Sequence, residues 1–71
     1  MNDDAITVQL DNRAHRVPMD TTLAALVADL GHAPRDVATA VNGRHVPRDQ
    51  RSSLALKAGD AVLLFRPIVG G

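Results

Sequence analysis

The chain has 71 residues, with eight basic and eight acidic side chains and no cysteine. A chain of this length makes one domain near the lower limit for folding on packing alone, and without thiols it has neither disulfide staples nor thiolate metal sites. Zero formal net charge argues against a general nucleic-acid binder or a membrane-surface protein. No apolar run reaches the roughly 18 residues of a membrane span. The acidic start Met1-Asn2-Asp3-Asp4 does not resemble a secretory signal. These features predict a small soluble cytoplasmic domain.

Taken in order, residues 5 to 10 alternate, with Ile6, Val8 and Leu10 on one face and Thr7 and Gln9 on the other, which predicts a strand with one buried face. Asp11-Asn12 follows; both residue types tolerate positive φ and so predict a two-residue hairpin turn. The return strand runs from about 13 to 18, with His15, Val17 and Met19 inward and Arg13 and Arg16 outward. Pro18 cannot donate to a ladder and puts this strand at an edge or ends it. Leu23, Leu26, Val27 and Leu30 then form one apolar helical stripe at i, i+3, i+4 and i+7. Thr22 is the expected N-cap, Asp20 adds negative charge near the N-terminus, Gly31 fits the C′ position and Pro34 blocks continuation.

Val37, Thr39 and Val41 alternate with Ala38 and Ala40 to give a third strand, and Asn42-Gly43 predicts a type I′ turn into a short fourth strand, Arg44-His45-Val46, cut by Pro47. Residues 48 to 53 are polar, with room for one helical turn. Leu54 and Leu56 are expected to tuck under the sheet, and Ala58-Gly59-Asp60 is a tight turn. The last strand, 61 to 66, is apolar at four consecutive positions, Val62 to Phe65, the pattern of a central strand covered on both sides; the lone aromatic, Phe65, is accordingly assigned to packing. A central last strand pairs naturally with the first. The order β-β-α-β-β-β predicts an α+β fold, a mixed five-stranded sheet curled over one main helix, in a single domain spanning 1–71.

Little in this chain looks catalytic. His15, His32 and His45 are far apart in sequence and lack metal-ligand spacing. The two Ser and four Thr have no triad context, there is no thiol nucleophile, and no Gly-rich phosphate loop is present. Asp3-Asp4 reads as a solvated tail. Arg44, Arg48, Arg51 and Arg66 read as a solvated face, with electrostatic docking onto an acidic partner as the alternative. No catalytic or metal-ligating residue is assigned, and a carrier or substrate role is favoured over an enzyme.

The C-terminal segment Arg66-Pro67-Ile68-Val69-Gly70-Gly71 stands apart. With Gly at roughly 7% of average usage, a Gly-Gly end arises by chance in about 0.5% of chains. Glycines let a backbone enter a narrow channel and present a carboxylate deep in a partner. Pro67 stiffens the exit from the last strand. Ile68 and Val69 are apolar where a solvated tail is normally polar. Extended at about 3.4 Å per residue, these six residues reach roughly 20 Å. Residues from about 66 onward are therefore expected to form a flexible tail that presents the Gly71 carboxylate to partner active sites.

Together these residues resemble a known family. The β-β-α-β-β-β order with a Gly-Gly end is similar to the ubiquitin-like β-grasp sulfur carriers of the ThiS/MoaD family. Val41-Asn42-Gly43-Arg44-His45-Val46-Pro47-Arg48 resembles the VNG…VPR segment of the ThiS branch, and Ala58-Gly59-Asp60 followed by Ala61-Val62-Leu63-Leu64-Phe65 resembles the family's GD turn and final strand. The likeness covers the chain from Ile6 onward. VNG followed by VPR favours the ThiS branch, as does the short chain, while Pro67 departs toward the MoaD pattern and keeps molybdopterin or another sulfur-containing metabolite as the alternative destination.

The resemblance implies that a ThiF-like adenylyltransferase uses Mg-ATP to convert the Gly71 carboxylate to an acyl adenylate. Sulfur from a cysteine desulfurase system then leaves a thiocarboxylate, which thiazole synthase (ThiG) consumes in thiamine biosynthesis. ATP and magnesium belong to the partner, so this chain needs no cofactor of its own, and a terminal Gly71 needs no protease to expose it. The free chain is expected to be a monomer that binds neither nucleic acid nor membrane. A reading from another class is a β-grasp binding module, similar to TGS-type RNA-associated domains, with an inert tail. Zero net charge and the lack of exposed aromatics for base stacking count against it.

Overall fold

A computed structural model describes residues 4–66 of the chain. Five strands and one helix follow each other as β1 (Ala5–Leu10), β2 (Arg13–Pro18), α1 (Leu23–Asp29), β3 (Ala38–Val41), β4 (Arg44–Val46) and β5 (Ala61–Phe65). Short 3-10 segments at Pro34–Asp36 and Arg48–Ser53 fill the connections. The sheet order is β2-β1-β5-β3-β4. β5 runs parallel to β1 and antiparallel to β3, and the two hairpins β1–β2 and β3–β4 flank it. This is the mixed β-grasp sheet on one helix that the sequence predicts, with the last strand beside the first.

Turn chemistry sets the register. Asp11 and Asn12 take φ of 50° and 70°, and Asn42 and Gly43 take 52° and 82°, the left-handed pairs that a tight hairpin requires. Pairing Ile6 with Val17 and Val8 with His15 puts the apolar residues of β1 and β2 on one face. The edge strand β2 ends at Pro18, as its missing amide hydrogen demands.

The helix is short and well capped. Thr22 Oγ1 accepts the Ala25 amide at 3.1 Å, and at the other end Gly31 (φ 87°) donates to Ala28 O while His32 donates to Val27 O, the paired bonds of a Schellman motif. Seven helical residues are marginal alone; burial of Leu23, Leu26 and Val27 holds them. Leu23 and Leu26 pack with Val8, Val17, Val41, Val46, Leu56 and Val62 into one core. Leu56 donates its amide to Thr21 O and Leu23 donates to Leu54 O, so the connection after the second 3-10 segment closes under the helix start.

Two expectations fail here. Met19 is 53% exposed rather than inward, because β2 has ended at Pro18 and the chain turns away through Asp20 at φ 68°. Asp20 lies two residues before the N-cap, outside the first helical turn, which carries no acidic residue.

Candidate functional site

The site is built around β5, the strand that leads into the C-terminal segment. It is held at its start by side chains of two turns. Asn42 Nδ2 donates to Asp60 Oδ1 at 3.0 Å, Asn42 Oδ1 accepts the Ala61 amide at 2.9 Å, and Asp60 Oδ2 accepts the Lys57 amide at 2.8 Å. The Asn-Gly turn and the Gly-Asp turn are thereby tied together. That gives a structural reason for both motifs, beyond the turn geometry read from the sequence. Gly59, at φ 86°, donates to Thr7 O and Gln9 donates to Asp60 O, which seats the same turn on β1.

At its far end β5 pairs Phe65 with Ala38, and the Asp11 carboxylate accepts the Leu64 amide at 3.1 Å. Sequence reasoning saw Asp11 only as a turn residue; the bond spans 53 positions and leaves no local signal. A cavity of about 390 Å³ opens at this end, lined by Leu10, Asp11, Leu30, His32, Phe65 and Arg66 among others. Of the six C-terminal site residues expected from sequence, Arg66 is described and is exposed; Pro67, Ile68, Val69, Gly70 and Gly71 lie outside the described residues.

The faces of β5 correct a third expectation. Val62 is 1% exposed and Leu64 packs against the core, whereas Leu63 and Phe65 are 41% and 47% exposed. Phe65 is not packing, and the strand is covered on one face. One helix covers one face of a five-stranded sheet, so the alternate residues of even its central strand meet solvent. On that open face Leu63 stands opposite Ala40 and Phe65 opposite Ala38. The small neighbours leave both large side chains standing above an apolar strip that runs toward Arg66.

The arginines separate. Arg44, Arg48 and Arg66 are exposed, but Arg51 is 4% exposed. Its Nε donates to Thr39 Oγ1 at 3.0 Å, Nη1 to Pro34 O at 2.8 Å and Nη2 to Val37 O at 2.7 Å. Thr39, itself fully buried, passes its own hydroxyl hydrogen to Val46 O. Burial, with a smaller contribution from Arg48, pulls the Arg51 pKa below its ordinary value. Arg51 is therefore no part of a solvated or docking face; it ties the connection before β3 to the second 3-10 segment. Nothing in the polar run 48 to 53 marks it out.

The histidines stay apart in the fold as in the sequence. His15 lies on one edge strand, His45 on the opposite one, and His32 just beyond the helix. Among the described residues no group of three or more His, Asp, Glu or Cys side chains could hold a metal, and no helix is long and apolar enough to cross a membrane.

The model of the ThiS family matches residues 4–71, the whole of the site and the segment beyond it. The chain belongs to the ThiS family. Its fold is shared with the crystal structure of a thiamine biosynthesis protein (ThiS) from Geobacter metallireducens. The two chains are 20% identical with a TM-score of 0.81, over 93% of this chain and 100% of that one. An NMR solution structure of a thiamine biosynthesis protein from the same organism is 22% identical with a TM-score of 0.71, over 93% of this chain and 88% of that one. No curated protein matches the chain with significance.

Proposed function

We propose that this chain is a sulfur carrier of thiamine biosynthesis, with the Gly71 carboxylate as the group that carries the sulfur. The observation that carries the reading is the family match, which runs through Gly70 and Gly71. It is supported by the design of β5, a strand pinned at both ends that leads directly into this segment. Residues 66–71 are the presenting tail of a single domain spanning 1–71. The open face around Leu63 and Phe65, continuous with the tail root, is the ground on which a partner seats.

A carboxylate resists attack by sulfur, so it must first be activated. A ThiF-like adenylyltransferase joins the Gly71 carboxylate to the α-phosphate of Mg-ATP and releases pyrophosphate. The terminal sulfur of a persulfide, formed from cysteine by a desulfurase, attacks the acyl carbon and AMP leaves with its phosphate oxygen. A thiol then reduces the S–S bond and frees the Gly71 thiocarboxylate, which thiazole synthase (ThiG) consumes. The chain is a co-substrate and not an enzyme; ATP and magnesium are bound by the activating partner, and the setting is the cytoplasm. Membership of the ThiS family favours thiazole over molybdopterin as the destination of the sulfur.

Intact-protein mass spectrometry after reaction with the cognate activating enzyme, ATP and a desulfurase tests this. The expected result is a mass gain equal to one oxygen exchanged for sulfur, localised to Gly71 by fragmentation. An unmodified chain in the presence of an enzyme active toward ATP–pyrophosphate exchange overturns the reading.

A further inference from the structure

In a parallel ladder, each strand alternately donates and accepts across the same neighbour. Gln9 donates to Asp60 O at 2.8 Å and Asp11 donates to Val62 O at 3.0 Å, with Leu10 opposite Val62. The next rung in this series takes the Leu64 amide to the backbone carbonyl of residue 11. That rung cannot form in the usual way, because the chain has already turned at Asp11 and Asn12, with φ of 50° and 70°. The Asp11 side chain takes its place: its Oδ1 accepts the Leu64 amide at 3.1 Å. A carboxylate is a strong acceptor for a backbone amide, and Asp is among the few residues that tolerate the left-handed turn conformation. One residue thus ends β1 and extends the pairing of β5 past the end of β1.

We propose that Asp11 is a positioning residue for the carrier reaction, its carboxylate acting as the last rung on the β1 side and fixing the direction in which the chain leaves the sheet after Phe65. The proposal rests on the functional reading above. On the β3 side the last pair is Phe65 with Ala38, so β5 is held on both flanks only as far as Leu64. Without the Asp11 rung its end is hinged along β3 alone, and the orientation of Phe65 and Arg66 relaxes. Pro67 restricts the backbone just beyond, so a change of direction at Arg66 shifts the root from which the tail sets out toward an active site. Misplacement by about 1 Å can lower a rate by about a hundredfold.

The test compares Asp11→Gly with Asp11→Asn in the full chain. Glycine keeps the freedom for positive φ and removes the acceptor; asparagine keeps both. In D11G, hydrogen exchange of the Leu64 amide should rise at least about tenfold once its acceptor is gone, as for any amide released to local opening. Residual dipolar couplings of Phe65 and Arg66 should change, while those of β1–β2 and α1 stay. With the cognate adenylyltransferase, kcat for adenylation should fall about ten- to a hundredfold with a smaller rise in KM, because the side chains of the docking face are all kept and only the orientation of Phe65 changes. D11N should lie within about twofold of wild type in every reading. Unchanged exchange and couplings in D11G overturn the proposal. So do changed couplings with an unchanged kcat, which remove the role in the reaction. A wild-type chain that is not adenylated by an active enzyme overturns the functional reading instead, and the exchange and coupling data still decide whether Asp11 sets the exit.

Discussion

The two faces of β5 are built from the same residue types and have opposite fates. Val62 and Leu64 turn to the helix and belong to the core, while Leu63 and Phe65, one step along the same backbone, are among the most exposed large apolar side chains described. A domain of this size has enough apolar residues to cover one side of its sheet. It spends two of the largest on the other side, next to the root of the C-terminal segment. The inner face holds the fold together; the outer face is available to a partner. Truncation on the outer face should therefore leave the fold intact, whereas a charge on the inner face should destroy it.

The sharpest break is Val62→Asp, which puts a carboxylate into the core without a partner. The expected cost is more than about 4 kcal/mol, enough to unfold a domain with a single small core; circular dichroism should show a disordered chain. Next is Arg51→Met, which keeps the bulk but strands Pro34 O, Val37 O and the Thr39 hydroxyl. A loss of about 3 kcal/mol in urea unfolding is expected. Because burial holds the folded-state pKa of Arg51 below its ordinary value, the unfolded state binds more protons there, and any gain in stability with rising pH falls in the strongly alkaline range. Between about pH 5 and 9 the side chain stays charged in both states, so the Arg51→Met cost should be flat with pH. Asn42→Ala, which unties the two turns at the start of β5, should cost about 1–2 kcal/mol through the lost bonds and the positive φ. At the small end, Leu63→Ser with Phe65→Ser should change stability by less than about 0.5 kcal/mol and still raise the KM for adenylation about tenfold or more, since exposed apolar anchors contribute to association rather than folding. A double variant that unfolds, or one adenylated with an unchanged KM, removes the distinction between the faces.

How much of this was legible in the sequence follows the range of the interaction. Both hairpins, the Thr22 cap and the Gly31 stop are local, set by residue types within a few positions of each other, and they read correctly. So did the placement of β5 beside β1, because its continuous apolar run suits a central strand. The same run misled about Phe65. Apolar residues on both faces suggested cover on both sides, yet a chain with one amphipathic helix has material to cover only one. Arg51 and Asp11 were not legible, for another reason. Their partners lie 12 to 17 positions away for Arg51 and 53 away for Asp11, and no periodicity or turn rule reaches that far. The Gly71 end was conspicuous as composition, and the family match extends across it.

The turn that seats the start of β5 also carries Lys57, the only lysine in the chain. Its backbone amide is engaged by Asp60, while its side chain is on an exposed residue. From Ala61 to Phe65 the strand advances about 3.3 Å per residue, so the turn at its start lies roughly 13 Å from its last residue. Amine-directed chemistry therefore has one side-chain target, at the opposite end of the strand from the terminus. A dye, a biotin or a solid support coupled there holds the domain by the start of β5, away from Phe65 and Arg66.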